Sequence, residues 1–246
     1  MIGRFVYCGR IYEGSFEIDG EVLVYDGEEI LLEFVKFLPP VMPSKIVAVG
    51  LNYVDHAAEL NMPIPDEPII FLKPPSAVIG DGDPILLPDV GRVDYEGELA
   101  VVIKKKCRDV RDTEDVILGY TCFNDVTARE IQAKDVQWTR AKSFDTFAPI
   151  GPYVAEIDPK GLEIVTRLNG KVVQKSTTAN MIFDVYELVS FVSKVMTLYP
   201  GDVIATGTPA GVGQLKPGDM VEVEIEKIGV LRNRAVKQGK NFTCVC

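Results

Sequence analysis

The sequence predicts an α+β domain rich in β-strand. Three observations carry that expectation. Short apolar segments bounded by Gly, Pro, Asn and Asp outnumber helical patterns. Most connections between them are too short for repeated βαβ crossovers, which excludes a Rossmann sheet or a TIM barrel. The 246 residues, 47% of them hydrophobic, suit one large domain, or one with a small appendage.

Residues 1 to about 38 read as short strands, with hairpin signals at Asp19-Gly20 and Asp26-Gly27. Pro39, Pro40 and Pro43 then interrupt the chain. Residues 1–43 are therefore expected to form a small β domain and linker, and residues 44–246 the main domain. A short apolar strand is expected at 45–50. Asn52 is placed as the cap of a helix through Leu60, with Asp55 three residues on as in a capping box. Pro63, Pro65 and Pro68 stop that helix. Strands follow at 69–72, 85–87, 97–103 and 119–124, and a helix from 127 to about 136. Asn169-Gly170 between 163–168 and 171–174 is a type I′ hairpin signal. Asp184 with Glu187 opens a helix whose stripe is Val185, Leu188, Val189, Val192, Val195 and Met196. Strands at 202–206 and 220–226 complete the domain.

Bulk properties exclude several classes. A net charge of −10 repels nucleic acid, and the one basic run, Lys104-Lys105-Lys106, reads as a solvated turn. No apolar run approaches the ~20 residues of a membrane helix, and no signal peptide is expected after Arg4. Cys8, Cys107, Cys122, Cys244 and Cys246 are odd in number and contain no CxxC pair, which points to a reducing cytoplasm. His56 is the single histidine, so a multi-histidine zinc or iron site is excluded. A metal here must be held mostly by oxygen, which favours Mg2+, Mn2+ or Ca2+.

The most informative stretch is Asp94-Tyr95-Glu96-Gly97-Glu98, which runs into Leu99-Ala100-Val101-Val102-Ile103. Residues two apart on a strand share a face, so Glu96 and Glu98 aim together. The strand beyond them is apolar on both faces, the mark of burial. Two carboxylates entering a low-dielectric region raise each other's pKa unless a cation compensates, and a hard divalent metal does so. A strand's first residues also often lie in water, which is the plainer reading. Glu222, Glu224 and Glu226 are the internal contrast: strict alternation there marks a half-buried strand with a solvated acidic face.

Other candidates are separate in sequence. His56 and Glu59 are i and i+3 on the expected helix, so the carboxylate can orient the imidazole as a base. The same spacing fits a surface contact. Asp125 fits a third oxygen ligand, or a simple helix cap. Arg129 and Gln132 share a helical face and offer donors to a carboxylate ligand, or to solvent. Lys142 lies in an otherwise small and apolar segment, where it binds an anion or snorkels to water. The glycines of Thr206-Gly-Thr-Pro-Ala-Gly-Val-Gly213 allow close backbone approach to a ligand, without the ending of a phosphate loop.

Five motifs in fixed order give the chain a likeness. Val49-Gly-Leu-Asn-Tyr-Val-Asp-His56, Asp94-Tyr-Glu-Gly-Glu-Leu-Ala100, Asn124-Asp-Val-Thr-Ala-Arg129, Ala141-Lys-Ser-Phe-Asp145 and the 206–213 loop together resemble the fumarylacetoacetate hydrolase family, bacterial or archaeal type. The likeness spans roughly residues 44 to 233, and the N-terminal segment matches the small extra domain of some members. It implies mixed β-sheets rolled around a central metal site, usually in a homodimer. It implies that Glu96, Glu98 and Asp125 hold Mg2+, with Mn2+ or Ca2+ able to substitute. It also implies that His56 and Glu59 activate water, while Lys142, Arg129, Gln132 and Thr208 contact a small anionic 2-oxo acid. The implied reaction is hydrolysis of a C–C bond in an acylpyruvate or fumarylacetoacetate-like substrate. The alternatives are isomerisation of a 2-hydroxyhepta-2,4-diene-1,7-dioate (hydroxymuconate type, aromatic catabolism) and decarboxylation of oxaloacetate. A metal-binding protein without turnover is a further alternative. Leu51, where many members carry arginine, and Glu130, where aspartate is commoner, are departures that bear on substrate choice.

Overall fold

The computed structural model describes residues 1–239, so Cys244 and Cys246 lie outside the described residues. Strand dominates, as the apolar segments require. Eight strands form the path of a large sheet, in the order Arg10–Ser15, Ile2–Tyr7, Ala148–Ala155, Ile117–Asn124, Gly97–Ile103, Val203–Ala205, Ile46–Val49 and Ile70–Lys73. Lys36–Phe37 joins at Ile2–Tyr7, and Val78–Ile79 at Ala148–Ala155. The sheet is mixed: Val203–Ala205 runs parallel to Ile46–Val49 and antiparallel to Gly97–Ile103.

A second sheet holds Ile85–Leu87, Gly229–Lys237, Met220–Ile225, Glu163–Leu168 and Lys171–Thr177. Its inner face packs on the first. Val223, Ile225, Leu231 and Ile164 meet Leu99, Val101 and Ile103, and the helix Val185–Val195 closes the cluster with Leu188, Val189 and Val192. On its other face, Gly97–Ile103 contributes Ala100 to a core with Ala48, Phe123, Ile150 and Ala205. The central strand is therefore buried on both faces, as its composition predicts.

Four α-helices occur among the described residues: α1 Val54–Glu59, α2 Arg129–Lys134, α3 Thr139–Lys142 and α4 Val185–Val195. None is long and apolar enough to cross a membrane. The capping box on α4 is complete: Asp184 accepts from the N–H groups of Tyr186 and Glu187, and Glu187 accepts from the N–H of Asp184. Val185, Leu188, Val189 and Val192 are buried, whereas Val195 is exposed where the helix ends. Asn169 and Gly170 both have positive φ, 52° and 78°, as a type I′ turn demands. On Met220–Ile225 the residues alternate as expected, and Glu222 pairs with Arg232 directly across the ladder.

Several expectations are corrected. Asn52 does not cap α1; Tyr53 occupies that position without a side-chain cap. The Asn52 amide instead donates to the carbonyls of Thr206 and Phe183 and accepts from the Phe183 N–H. Three tertiary bonds to buried backbone outweigh one local cap. Asp55 accepts from the His56 N–H and the Ser176 hydroxyl, so it forms no capping box. The helix expected from Thr127 begins only at Arg129, because Thr127 and Ala128 pair with Asp94 and Val93 as strand. Ala148–Ala155 and Gly229–Lys237 are strands without a sequence expectation. The first carries two prolines and a glycine, and the second points Asn233 inward beside Leu231 and Ala235.

The N-terminal strands enclose Phe5, Phe16, Leu23 and Ile30, with Tyr153 packed against them. Ile2 pairs with Val154, so this segment is hydrogen-bonded into the large sheet.

Replacing Asp184 with alanine removes the carboxylate oxygen that accepts from both Tyr186 and Glu187 at the start of α4. Denaturant unfolding is expected to register a loss of about 1 kcal/mol. A variant as stable as the parent would show that packing alone sets this helix start.

Candidate functional site

The site grows from one register. Gly97 lies opposite Asn124 in the antiparallel pair of Gly97–Ile103 and Ile117–Asn124. The next pair outward is Glu96 with Asp125, closed by a 2.8 Å bond from the Asp125 N–H to the Glu96 carbonyl. Glu98 follows Glu96 by one strand repeat. Glu96, Glu98 and Asp125 thus each bring a carboxylate oxygen within 4.8 Å of the others. All three are buried, Glu98 and Asp125 to 1% exposure.

Three like charges in such a place need partners. Lys142 Nζ donates to Glu96 Oε2 at 2.8 Å and to Asp125 Oδ2 at 2.6 Å. Lys73 Nζ donates to Asp125 Oδ1 at 2.5 Å and to the Val126 carbonyl. Arg129 donates through Nη2 to Glu96 Oε1 at 2.5 Å, through Nε to Asp94 and through Nη1 to Gln132 Oε1. Arg92 grips the other side of Asp94. Glu98 differs: the hydrogen bond recorded on its carboxylate comes from the Gly207 N–H, at 2.9 Å.

The electrostatics follow this division. Burial works against the charged form of Glu96, but Lys142 and Arg129 overcome it and hold the carboxyl well below the usual range. Burial, then the neighbouring Asp125 and Glu96, push Glu98 well above it. Burial pulls Lys142 down, yet Asp125 and Glu96 more than offset it, and the ammonium ends above its ordinary value. Burial wins at Lys73, which ends below. The donor set is all oxygen, and among the described residues Glu98 has no cation of its own. These features fit a hard divalent ion.

Lys142 does not snorkel. It ends α3, is 2% exposed, and lies 5.1 Å from the Phe71 ring centroid as well as against its two carboxylates. Asp125 is not a helix cap, since α2 starts four residues later. Gln132 reaches the site through Arg129. Glu130 turns away, its carboxylate accepting from the Arg92 N–H. Leu51 is half-buried.

His56 Nδ1 and Glu59 Oε2 are 2.9 Å apart, and His56 is buried rather than on a surface helix face. No direct hydrogen bond joins this pair to the carboxylate trio among the described residues. The 206–213 loop links them: Gly211 N–H donates to Glu59, Gly207 N–H to Glu98, and the Thr208 hydroxyl to the Gly97 carbonyl. Gly207 has a φ of 94°, and a Cβ there would lie 2.8 Å from the Asn52 Cβ. Only glycine lets this backbone come close enough for its N–H to reach Glu98.

Sequence reasoning missed Lys73, Asp94, Asn124, Gln174 and Tyr53. Asp94 had a signal, a third carboxylate at the same two-residue spacing. Lys73, before Pro74-Pro75, had none. Asn124 accepts from the Glu96 N–H. The Tyr53 hydroxyl is buried without a hydrogen-bond partner among the described residues, and burial, then Glu98 and Asp55, push it up.

Comparison with known proteins places the chain among relatives of the same fold. Residues 45–236 match the family model "Fumarylacetoacetate (FAA) hydrolase C-terminal". An uncharacterized protein of Archaeoglobus fulgidus is 72% identical over 250 residues, spanning all of both chains. The mitochondrial oxaloacetate tautomerase FAHD2A of Bos taurus is 47% identical over 219 residues, 82% of this chain and 70% of that one. Among solved structures, the 5-carboxymethyl-2-hydroxymuconate delta-isomerase of Mycobacterium smegmatis superposes with a TM-score of 0.90 at 45% identity, covering 97% of this chain and 99% of that one. The maleylpyruvate hydrolase of Sphingobium sp. SYK-6, in complex with manganese(II) and pyruvate, superposes with a TM-score of 0.81 at 30% identity, covering 97% and 99%. A family match over most of the chain, with relatives at 47% identity and a fold shared at a TM-score of 0.90, shows that the chain belongs to the fumarylacetoacetate hydrolase family.

Proposed function

We propose that this protein is a divalent-metal-dependent enzyme that shifts a proton between carbon and oxygen, or between two carbons, of a small anionic 2-oxo acid. The observation that carries the reading is the buried trio Glu96, Glu98 and Asp125, with Glu98 short of compensating charge. Mg2+ is the proposed ion, and Mn2+ or Ca2+ suits the same oxygen donors. Such an ion, when bound, supplies Lewis acidity that stabilises negative charge on the 2-oxo oxygen.

The chain's own groups do the rest. Glu59 holds His56 at Nδ1, which leaves Nε2 as the base that takes a proton from the carbon beside the ketone. Lys142, beside Glu96 and Asp125, offsets charge on a substrate oxygen and carries a transferable proton. Arg129 and Gln132 on one side bind a carboxylate of the substrate, and Thr208 on the other offers its oxygen as an acceptor. Charge balance argues for a dianion. Asp94, Glu96 and Asp125 already meet Arg92, Arg129, Lys73 and Lys142, a surplus of one positive charge that Glu98, which pairs with none of them, offsets. With a divalent ion added, the site has two surplus positive charges, which a 2-oxo dicarboxylate balances.

Similarity favours proton transfer over bond cleavage: the tautomerase and isomerase relatives are 47% and 45% identical, the maleylpyruvate hydrolase 30%. Hydrolysis of an acylpyruvate is the second reading, and the His56–Glu59 contact favours it, because an oriented imidazole also activates water. A homodimer in the cytoplasm is part of the same proposal.

Glu98→Gln separates stability from metal uptake. In divalent-free buffer at neutral pH the variant is expected to melt above the parent, since it removes an uncompensated buried charge. The folded-state pKa of Glu98 is raised, so the parent's deficit exists at neutral pH. It fades as pH falls through that value toward the ordinary carboxylate range. Mn2+ should raise the parent's melting temperature but not the variant's. Identical melting curves with and without Mn2+ in the parent would remove the metal site.

His56→Ala is expected to take up Mn2+ as the parent does and to lose about 10²-fold or more in turnover. NMR product analysis with oxaloacetate, an acylpyruvate and a hydroxymuconate-type dienoate decides the reaction. Deuterium exchange and isomer formation support the first reading, and pyruvate release from the acylpyruvate supports the second. Full activity in His56→Ala would remove the base from both.

A further inference from the structure

Gly97 separates the two glutamates of the trio, and its backbone is held in an unusual way. The ladder between Gly97–Ile103 and Val203–Ala205 runs outward to a bond from the Thr206 N–H to the Leu99 carbonyl. Gly97 is the next residue to be paired along that edge, since alternate residues of a strand face the same neighbour. The 206–213 loop has already turned away. Two side chains replace the missing strand: Gln174 Oε1 accepts from the Gly97 N–H at 3.0 Å, and the Thr208 hydroxyl donates to the Gly97 carbonyl at 2.9 Å.

Gln174 binds both halves of this patch. Its Nε2 donates to Thr208 Oγ1 and to the Pro209 carbonyl, each at 2.9 Å. It belongs to Lys171–Thr177 in the second sheet, is 1% exposed, and has all its recorded bonds committed here. Space enforces the arrangement. A Cβ on residue 97 would lie 2.1 Å from Thr166 Oγ1 and 3.2 Å from Gln174 Oε1, so the second sheet presses directly on this backbone. Among the described residues, Thr166 makes no hydrogen bond through its hydroxyl. It contacts the same glycine without tying it.

We infer that Gln174 is a positioning residue for the metal site: acting as a surrogate strand, it sets the separation of Glu96 and Glu98 and the direction of the Thr208 hydroxyl. The inference rests on the proposed metal role of the trio. Its consequence at Thr208 is specific. With the proton given to Gly97 and one lone pair taken by Gln174, Thr208 Oγ1 offers a bound molecule an acceptor, so the group it meets is a hydroxyl or a water rather than a carboxylate.

The test reads Mn2+ binding without substrate, by EPR of the free ion, in the full chain and three variants. Gln174→Met keeps the volume and removes all three bonds. Thr208→Val removes the partner in the pair and serves if Gln174→Met does not fold. Thr166→Val keeps the packing on Gly97 and removes no bond. Gln174→Met and Thr208→Val are expected to lose about tenfold or more in Mn2+ affinity, in the range of losses for groups that orient metal ligands. Thr166→Val should bind as the parent does. Wild-type affinity in folded Gln174→Met or in Thr208→Val overturns the inference. So does an equal loss in Thr166→Val, which would make the effect one of hairpin packing. A parent that takes up no Mn2+ overturns the metal reading and this inference with it. Failure of every 2-oxo acid to react, with affinity lost in Gln174→Met, overturns the proposed reaction alone.

Discussion

The structure depends on keeping Glu96, Glu98 and Asp125 together out of water. Burying one carboxylate without a partner is costly, and three side by side repel one another as well. The chain meets this by local charge matching. Lys142 bridges two of the three, Lys73 takes the far oxygen of Asp125, and Arg129 joins Glu96 to Asp94. Glu98 is the exception, with one backbone N–H. A site that neutralises two of its acids and leaves the third bare is built to accept a cation rather than to be stable without one.

Backbone geometry delivers these charges at low cost. Glu96 and Asp125 lie one step beyond the last pair of an antiparallel ladder, so their proximity follows from a register that the apolar residues of both strands enforce. Lys142 arrives by another route, at the end of a short helix whose N-cap residue, Trp138, packs on Phe71. The second sheet adds no charge to the trio. It supplies Gln174 and Thr166 against the one glycine between the glutamates.

What was legible in the chain was local. Glu96 and Glu98 could be read because the strand after them is apolar on both faces, while Glu222 and Glu224 lie on a strand that alternates. The Asn169-Gly170 turn and the Asp184–Glu187 box follow from residues within a few positions of each other. What was hidden depends on distant partners. Asn52 has the residue type of a helix cap, yet spends its amide on Thr206 and Phe183. Lys73 looks like the end of an edge strand until Asp125 is placed beside it. Ala148–Ala155 becomes a strand through neighbours on both sides, despite its prolines.

The two halves of the site are anchored differently, and this bears on the range of reactions in the family. The carboxylate half is built into ladders of the large sheet and braced by the second. The His56–Glu59 half sits on a six-residue helix without a side-chain cap, tied down by Asp55 to Ser176 and Glu59 to Gly211. Beyond it, Leu60, Met62 and Ile64 are exposed. A substitution near the helix therefore re-aims the base without disturbing the acids. In the proposed reaction the direction of that imidazole decides whether it meets a carbon acid or a water, over the same carboxylate floor. On this argument the reaction proposed for this chain is decided by where its imidazole points, and its need for a divalent cation by the three acids beneath.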